Sequence, residues 1–428
     1  MFRQRFLRIL VEACRLLTGA VFVFSGFVKA VDPSGFAIKI GDYLAAFHLD
    51  SLDFLALPVA LFLIALEFTL GVCTLLGVYR KWASRCLLLF MLVMTPLTFY
   101  LALFNPVSDC GCFGDALILT NWETFGKNIV LSCMAILLAV CYRLPLSFYT
   151  PKTRWFIPVF AFAYTLGFAV WNYRHLPLLD FRPYKIGTNI PAAMRIPEGA
   201  PEDEYRYSFI YEKDGVKKSF SLENSPVNDS TWTFVDTQTK LLKKGYTPPI
   251  ASFDIFNPEG KNLSDSLLRL PELLLLVAPK LETADDRHID GIADIYEYAQ
   301  THHIPFYCLT GSAPAQFEKW RERTGATYRF LEADETLLKT VIRANPGLLW
   351  LQRGTLRMKW SGNDLPNETR LTAFLQGELA PPQGKPWIYI NLFGFALPLL
   401  LVWVYDFFRF RRKDEKPAEK QENVSQSI

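Results

Sequence analysis

The chain has 428 residues, 51% of them hydrophobic and 20% charged, with 45 Lys and Arg against 42 Asp and Glu. It is too apolar for an ordinary soluble protein and too charged to lie wholly in a bilayer, so membrane and soluble parts share one chain. A formal charge of +3 leaves no broad basic field for nucleic acid, and eight cysteines over this length exclude a disulfide scaffold.

The N-terminal Met1-Phe-Arg-Gln-Arg-Phe-Leu-Arg8 and the apolar run behind it have the outline of a signal peptide. The run continues from Leu16 to Val28 without a small-residue cleavage site, so a retained anchor is expected. Six stretches, approximately 11–31, 53–78, 86–104, 125–142, 155–172 and 386–408, are long enough to span about 30 Å of hydrocarbon. Arg3, Arg5 and Arg8 precede the first, and Arg80, Lys81 and Arg85 lie between the second and third. Arg143, Lys152 and Arg154 lie between the fourth and fifth, and Arg409, Arg411, Arg412 and Lys413 follow the sixth. All four basic links fall on one side, which the positive-inside rule makes cytoplasmic. Both termini are then cytoplasmic, and residues 32–52, the Cys110–Cys112 loop and residues 173–385 face the other side.

Residues 1–172 read as a five-span helical domain whose short connections imply a compact antiparallel bundle. Residues 173–385 are an exported domain, 386–408 a sixth transmembrane helix, and 409–428 a cytoplasmic tail whose polar end, 414–428, reads as disordered. In the exported part, Tyr205–Tyr211 and Lys217–Leu222 are predicted strands joined by a turn at Lys213-Asp214-Gly215. Strands and helices then alternate. Strand Leu273–Ala278 precedes helix Ile289–Thr301, strand Phe306–Leu309 precedes helix Ala315–Thr324, and strand Tyr328–Leu331 precedes helix Glu335–Ile342. A hairpin of Leu348–Gln352 and Leu356–Trp360 closes the series, which implies a mixed sheet covered by helices.

This order resembles the thioredoxin-like fold of TlpA-type thiol–disulfide proteins over roughly 250–365. Ser252-Phe-Asp-Ile-Phe-Asn-Pro-Glu-Gly-Lys261 looks like the first strand and turn of such domains, and Asn345-Pro346-Gly347 stands where they carry a cis-proline. Where the family has Cys-x-x-Cys, this chain reads Ala278-Pro-Lys-Leu-Glu-Thr-Ala-Asp-Asp286. The resemblance therefore implies a docking or binding module, with Cys308 a small buried hydrophobe.

The membrane half resembles the DoxX-like and MauE-like families of bacterial membrane proteins over about residues 8–145. Phe24-Ser-Gly-Phe-Val-Lys-Ala-Val-Asp-Pro33 matches their Ser-Gly-x-x-Lys-x-x-Asp-Pro signature, and Ala65-Leu-Glu-Phe-Thr-Leu-Gly71 with Gly77 and Arg80 is a further match. Cys110-Gly111-Cys112-Phe113-Gly114 points to the MauE branch, associated with maturation of methylamine dehydrogenase and its disulfides. The fold class is thus expected to be mixed: a transmembrane helical bundle, an α/β thioredoxin-like exported domain and a C-terminal transmembrane helix. The resemblance places the protein in the bacterial inner membrane with residues 173–385 periplasmic.

Cys110 and Cys112 face the oxidising side, where disulfides persist. One residue between them makes a small, strained ring on closure, Gly111 gives the backbone freedom it needs, and strain makes a disulfide more oxidising. Asp109 and Asp115 beside the pair would raise its thiol pKa values. A redox pair, a structural clamp and a metal fragment all use these residue types. Two soft ligands without a third are an incomplete metal site, so no metal is expected. Glu67 lies in mid-span, where an ionisable side chain costs about 3 kcal/mol and must face the bundle interior. It is a candidate for proton handling or for packing by a neutral acid, with Lys29 a possible partner at a different depth or a snorkelling residue.

Three functions follow. In the first, Cys110 and Cys112 are catalytic in a membrane thiol–disulfide oxidoreductase. They pass electrons from exported client thiols to a membrane acceptor such as a quinone bound near Glu67 and Lys29, much as in vitamin K epoxide reductase-type enzymes. In the second, the chain is a non-enzymatic scaffold or assembly factor with a structural Cys pair. In the third, it is a transporter or quinone-associated subunit that depends on Glu67.

Overall fold

A computed structural model describes residues 2–107, 110–213, 215–222, 224–227, 229, 231–243, 245–380 and 385–411. The bundle consists of α1 (Phe2–Val31), α2 (Pro33–Ala46), α3 (Ala56–Leu76), α4 (Arg80–Phe104), α5 (Asn121–Val140) and α6 (Phe156–Arg174). A short α7 (Ile190–Met194) leads to a three-stranded sheet of β1 (Glu204–Lys213), β2 (Val216–Ser221) and β3 (Thr233–Lys243). The α/β unit follows as α8 (Ser264–Leu268), β4 (Leu273–Val277), α9 (Ile289–Thr301), β5 (Phe306–Thr310), α10 (Ala315–Thr324), β6 (Arg329–Glu332) and α11 (Glu335–Val341). It closes with β7 (Gly347–Gln352), β8 (Thr355–Ser361) and α12 (Glu368–Leu375), and α13 (Lys385–Asp406) returns to the bundle.

Among the described residues, five helical stretches are long and apolar enough to cross a membrane: Asp50–Leu76, Arg80–Phe104, Asn121–Val140, Phe156–Arg174 and Pro386–Arg409. The expected span 11–31 lies in α1, which is outside that set. At 30 residues α1 is still about 45 Å long, and it runs along α3, α5 and α6 as a member of the bundle. One end of the bundle gathers the links 77–79 and 141–155. The other gathers 32–55, 105–120 and the α/β unit. At the first end buried Arg15 donates to the Thr74 and Leu75 carbonyls at the close of α3, and Glu12, which holds Arg15 at 2.6 Å, accepts from the Leu146 amide. The α13 helix is fixed to α6 and its preceding turn: Tyr164 donates to the Asn391 carbonyl, Tyr149 to the Leu399 carbonyl, and Asp406 accepts from the Thr150 amide and hydroxyl.

The five-stranded sheet has the order β6-β5-β4-β7-β8, with β4, β5 and β6 parallel and β7 antiparallel to both of its neighbours, β4 and β8. All of β4, Leu-Leu-Leu-Leu-Val, is buried because helices cover both faces of a central strand. Leu274, Leu276 and Cys308 face a core with Phe317, Trp320, Trp360 and Phe374. Leu273, Leu275 and Val277 face the other, which the connecting segments complete with Tyr184, Ile190, Ile250 and Phe253. The Asn345–Pro346 bond is cis. The separate sheet has the order β2-β1-β3; the expected turn at Lys213-Asp214-Gly215 contains Asp214, and the tail 414–428 also falls outside the described residues.

Candidate functional site

The site is assembled where α1 turns into α2. Asp32 Oδ1 accepts the Gly35 amide at 2.9 Å and Pro33 takes the first helical position, so Asp-Pro both stops one helix and starts the next. Residues 33–46 therefore form a helix packed on α3, where the sequence suggested only a link.

The 110–114 loop is laid against these two helices. Ser25 Oγ of α1 donates to the Cys112 carbonyl at 2.6 Å, and Tyr43 of α2 donates to the Cys110 carbonyl at 2.7 Å. The Phe24 and Phe113 rings pack 5.6 Å apart. Gly111 has φ +65°, a region that glycine enters without strain, and a Cβ there would meet the Lys39 side chain at 3.0 Å. The outcome is a Cys110 Sγ–Cys112 Sγ distance of 2.9 Å, with Cys110 buried and Cys112 half-buried.

The contact between the sulfurs divides their acidities. As the acceptor of the Cys110 thiol proton, Cys112 is held down to about 6; Lys127 and Lys29 add to this and burial opposes it. Donating that hydrogen bond, together with burial, pushes Cys110 well above the ordinary thiol range. The flanking aspartates were expected to raise both. Asp115 is paired with Arg343 at 3.4 Å, so its charge is offset, while Asp109 lies outside the described residues. Lys127, whose Nζ sits 4.3 Å over the Phe113 ring, was not anticipated; its only sequence signal is a cation in the second turn of the helix after the cysteine loop.

Lys29 and Glu67 meet as an ion pair of 2.7 Å, each side chain 6% exposed. Their apparent difference in depth disappears in the register of α1 on α3. A Cβ on Gly26 would lie 2.8 Å from the Phe68 amide nitrogen, and one on Gly71 2.6 Å from that of Val23. Small residues at these two crossings bring the antiparallel backbones together and place Lys29 opposite Glu67. The Lys29 ammonium also lies 4.8 Å over the Phe36 ring of α2. Cys110, Cys112, Lys29 and Glu67 thus converge at the end of α1.

The remaining thiols lie apart. Cys73 is buried in α3, Cys133 is exposed on α5, and Cys308 is buried in β5, where desolvation pushes its thiol up. Thr120 caps α5 in a capping box with Glu123, and Asn121 donates to Asn105 and the Val107 carbonyl.

Residues 7–141 match the family model of the methylamine utilisation protein MauE. The match covers α1 through α5 and so includes both the cysteine loop and the Lys29–Glu67 pair. Residues 205–244, the β1–β3 sheet, match a domain of unknown function, DUF8463. No curated protein matches the chain. The chain is a multi-pass membrane protein with a MauE-type region, followed by a sheet-containing α/β region and a C-terminal helix.

A quinone was the acceptor suggested by sequence. The cavity beside Arg15 and Cys73 inside the bundle holds about 20 Å³, too little for a quinone ring. A second, of about 400 Å³, adjoins Lys29 but is bounded by Asp32, Lys39, Asp42, Asp115 and Arg343. Neither lining fits a lipid-borne quinone.

Proposed function

We propose that the protein is a thiol–disulfide oxidoreductase of the bacterial inner membrane that acts on exported proteins through Cys110 and Cys112. The observation that carries the reading is the pair itself: two sulfurs 2.9 Å apart, one of them with its thiol pKa near 6. Such a thiol is substantially ionised at neutral pH, and a stable thiolate leaves readily when the disulfide that contains it is attacked. In the oxidised pair, a client thiolate attacks one sulfur and forms a mixed disulfide; the second client thiol then displaces that sulfur. The client gains a disulfide, and Cys110 and Cys112 take up two electrons and two protons. A two-electron acceptor must reoxidise them.

The α/β unit supports a thioredoxin-like reading through its strand order and the cis Asn345–Pro346 bond. The loop facing that bond contains no cysteine, and Asn345 instead holds it, donating to the Lys280 carbonyl and Thr283 hydroxyl. In this role the domain presents clients rather than exchanging disulfides. The distribution of Arg and Lys supports a periplasmic position for it, with both termini cytoplasmic.

A second reading, a scaffold with a permanent clamp, is favoured by the pinning of both cysteine carbonyls to Ser25 and Tyr43. The buried Lys29–Glu67 pair favours a third, Glu67-dependent transport. Thiol trapping of purified protein across a series of glutathione redox buffers separates them. A cycling pair shows a mixture that shifts with potential, and Cys110→Ser or Cys112→Ser abolishes oxidation of a reduced exported client. Full function with both serines present would sink the redox reading.

A further inference from the structure

Arg343, between α11 and the cis-proline, reaches from the α/β unit to the cysteine loop. Its Nε lies 2.9 Å from Asp32 Oδ2 at the α1–α2 corner, and its Nη2 lies 3.4 Å from Asp115 Oδ2 on the cysteine loop. Its Nη1 donates to the Lys339 carbonyl of α11 at 2.7 Å, and the side chain is 10% exposed. One planar guanidinium therefore ties together a helix corner, the cysteine loop and the exported domain, a geometry that a lysine ammonium would not reproduce. Behind it, Lys359 and Arg182 share Asp180, and Lys359 and Arg182 also donate to the Val341 and Thr340 carbonyls, so the segment carrying Arg343 is braced from its own side. A second tie lies across the domain, where His175 at the end of α6 pairs with Asp364 at 2.7 Å.

We infer that the exported domain is a lid over the cysteine loop and that Arg343 is its latch. The inference deepens the redox reading by naming how access to the pair is regulated, and its importance to catalysis rests on that reading. With the latch closed, the domain stands over the Gly111 and Gly114 side of the cysteine loop, across a cavity that Arg182, Lys339 and Arg343 bound from the domain side. When the latch opens, the domain swings about its remaining ties to the end of α6, the His175–Asp364 pair and the Ser361 and Asn363 bonds to the Arg174 carbonyl, and the 110–114 loop becomes reachable by a macromolecular thiol. The latch is specific to a charged fork, so neutralising either end of the Asp115–Arg343 contact should loosen it.

The test is the rate at which a membrane-impermeant maleimide labels Cys112 in the full-length, chemically reduced protein, read by peptide mass spectrometry. Arg343→Gln is expected to raise that rate about tenfold, the change in an opening equilibrium when one charged, half-buried hydrogen-bonding group is lost. Asp115→Asn, which alters only the more exposed partner, should raise it less. Fully buried Cys308 is the internal control, because it labels only if the α/β unit unfolds. A rise at Cys112 alone supports the latch. No rise in either variant, or a rise that Cys308 matches in both, overturns it. Because the thiols are reduced beforehand, the result does not depend on whether the pair cycles, so a failed latch and a failed redox assignment are distinguishable.

Discussion

At the scale of single residues, the two cysteines are chemically unequal although the sequence presents them symmetrically. Cys112, with a pKa of about 6, is mainly thiolate at pH 7. A thiol with lowered pKa loses its reactive form only as the pH falls through that value. Alkylation of Cys112 in the reduced protein should therefore hold a plateau above pH 7 and drop about tenfold per pH unit well below 6. Lys127→Met should move the midpoint upward, since it removes a cation that favours the thiolate. Lys29 and Glu67 make a complementary case. Lys29→Met leaves a buried carboxylate without its partner and should cost about 3–5 kcal/mol in thermal melts of the solubilised protein, whereas the double substitution with Glu67→Leu should recover much of the loss. Glu67 was legible as a buried acid because a carboxylate in mid-span is so costly. Its partner was less so, because depth along one helix says nothing of the stagger between two.

At the scale of elements, that stagger is set by Gly26 and Gly71. Gly71→Val would drive a β-branched side chain into the backbone of α1, costing about 1–3 kcal/mol and separating Lys29 from Glu67. The measurement is a melt of the variant combined with the Cys112 alkylation profile, which should shift because Lys29 moves. The α/β unit was the most readable part of the chain. Helices Ile289–Thr301 and Ala315–Thr324 agree with expectation end to end, and the strands differ by one or two residues, because continuous apolar runs alternate with amphipathic stretches. What escaped were elements without that signal. The α2 helix hides in a segment mixing Lys39, Asp42 and Gly41 with apolar residues. The β3 strand, Thr-Phe-Val-Asp-Thr-Gln-Thr-Lys-Leu-Leu-Lys, is largely exposed and owes its form to pairing with β1. Arg343, solvated by any local criterion, acquires its role only through contacts more than 200 residues away in the chain.

At the scale of the whole molecule, the basic links and the α/β unit occupy opposite ends of one bundle, which yields a direct check of sidedness. In a variant with its native cysteines replaced, a cysteine at His303 should react with an impermeant maleimide added to intact cells. A cysteine at Lys152 should react only after the cells are broken. The reverse pattern would invert the orientation and leave Cys110 and Cys112 in a reducing compartment, where a disulfide does not persist.

The three-way contact of Arg343 with Asp32 and Asp115 has a further consequence for natural variation. Asp32 has a second task, since it starts α2, but Asp115 does not cap a helix of that kind. Any relatives that consist of the bundle alone would have no counterpart of Arg343. Selection on position 115 should therefore relax in them while position 32 stays fixed. In two-part relatives, positions 115 and 343 should drift together, so that a reversal of charge at one accompanies a reversal at the other. Paired change at these two charges, and not at the cysteines, would then mark the contact between the two regions.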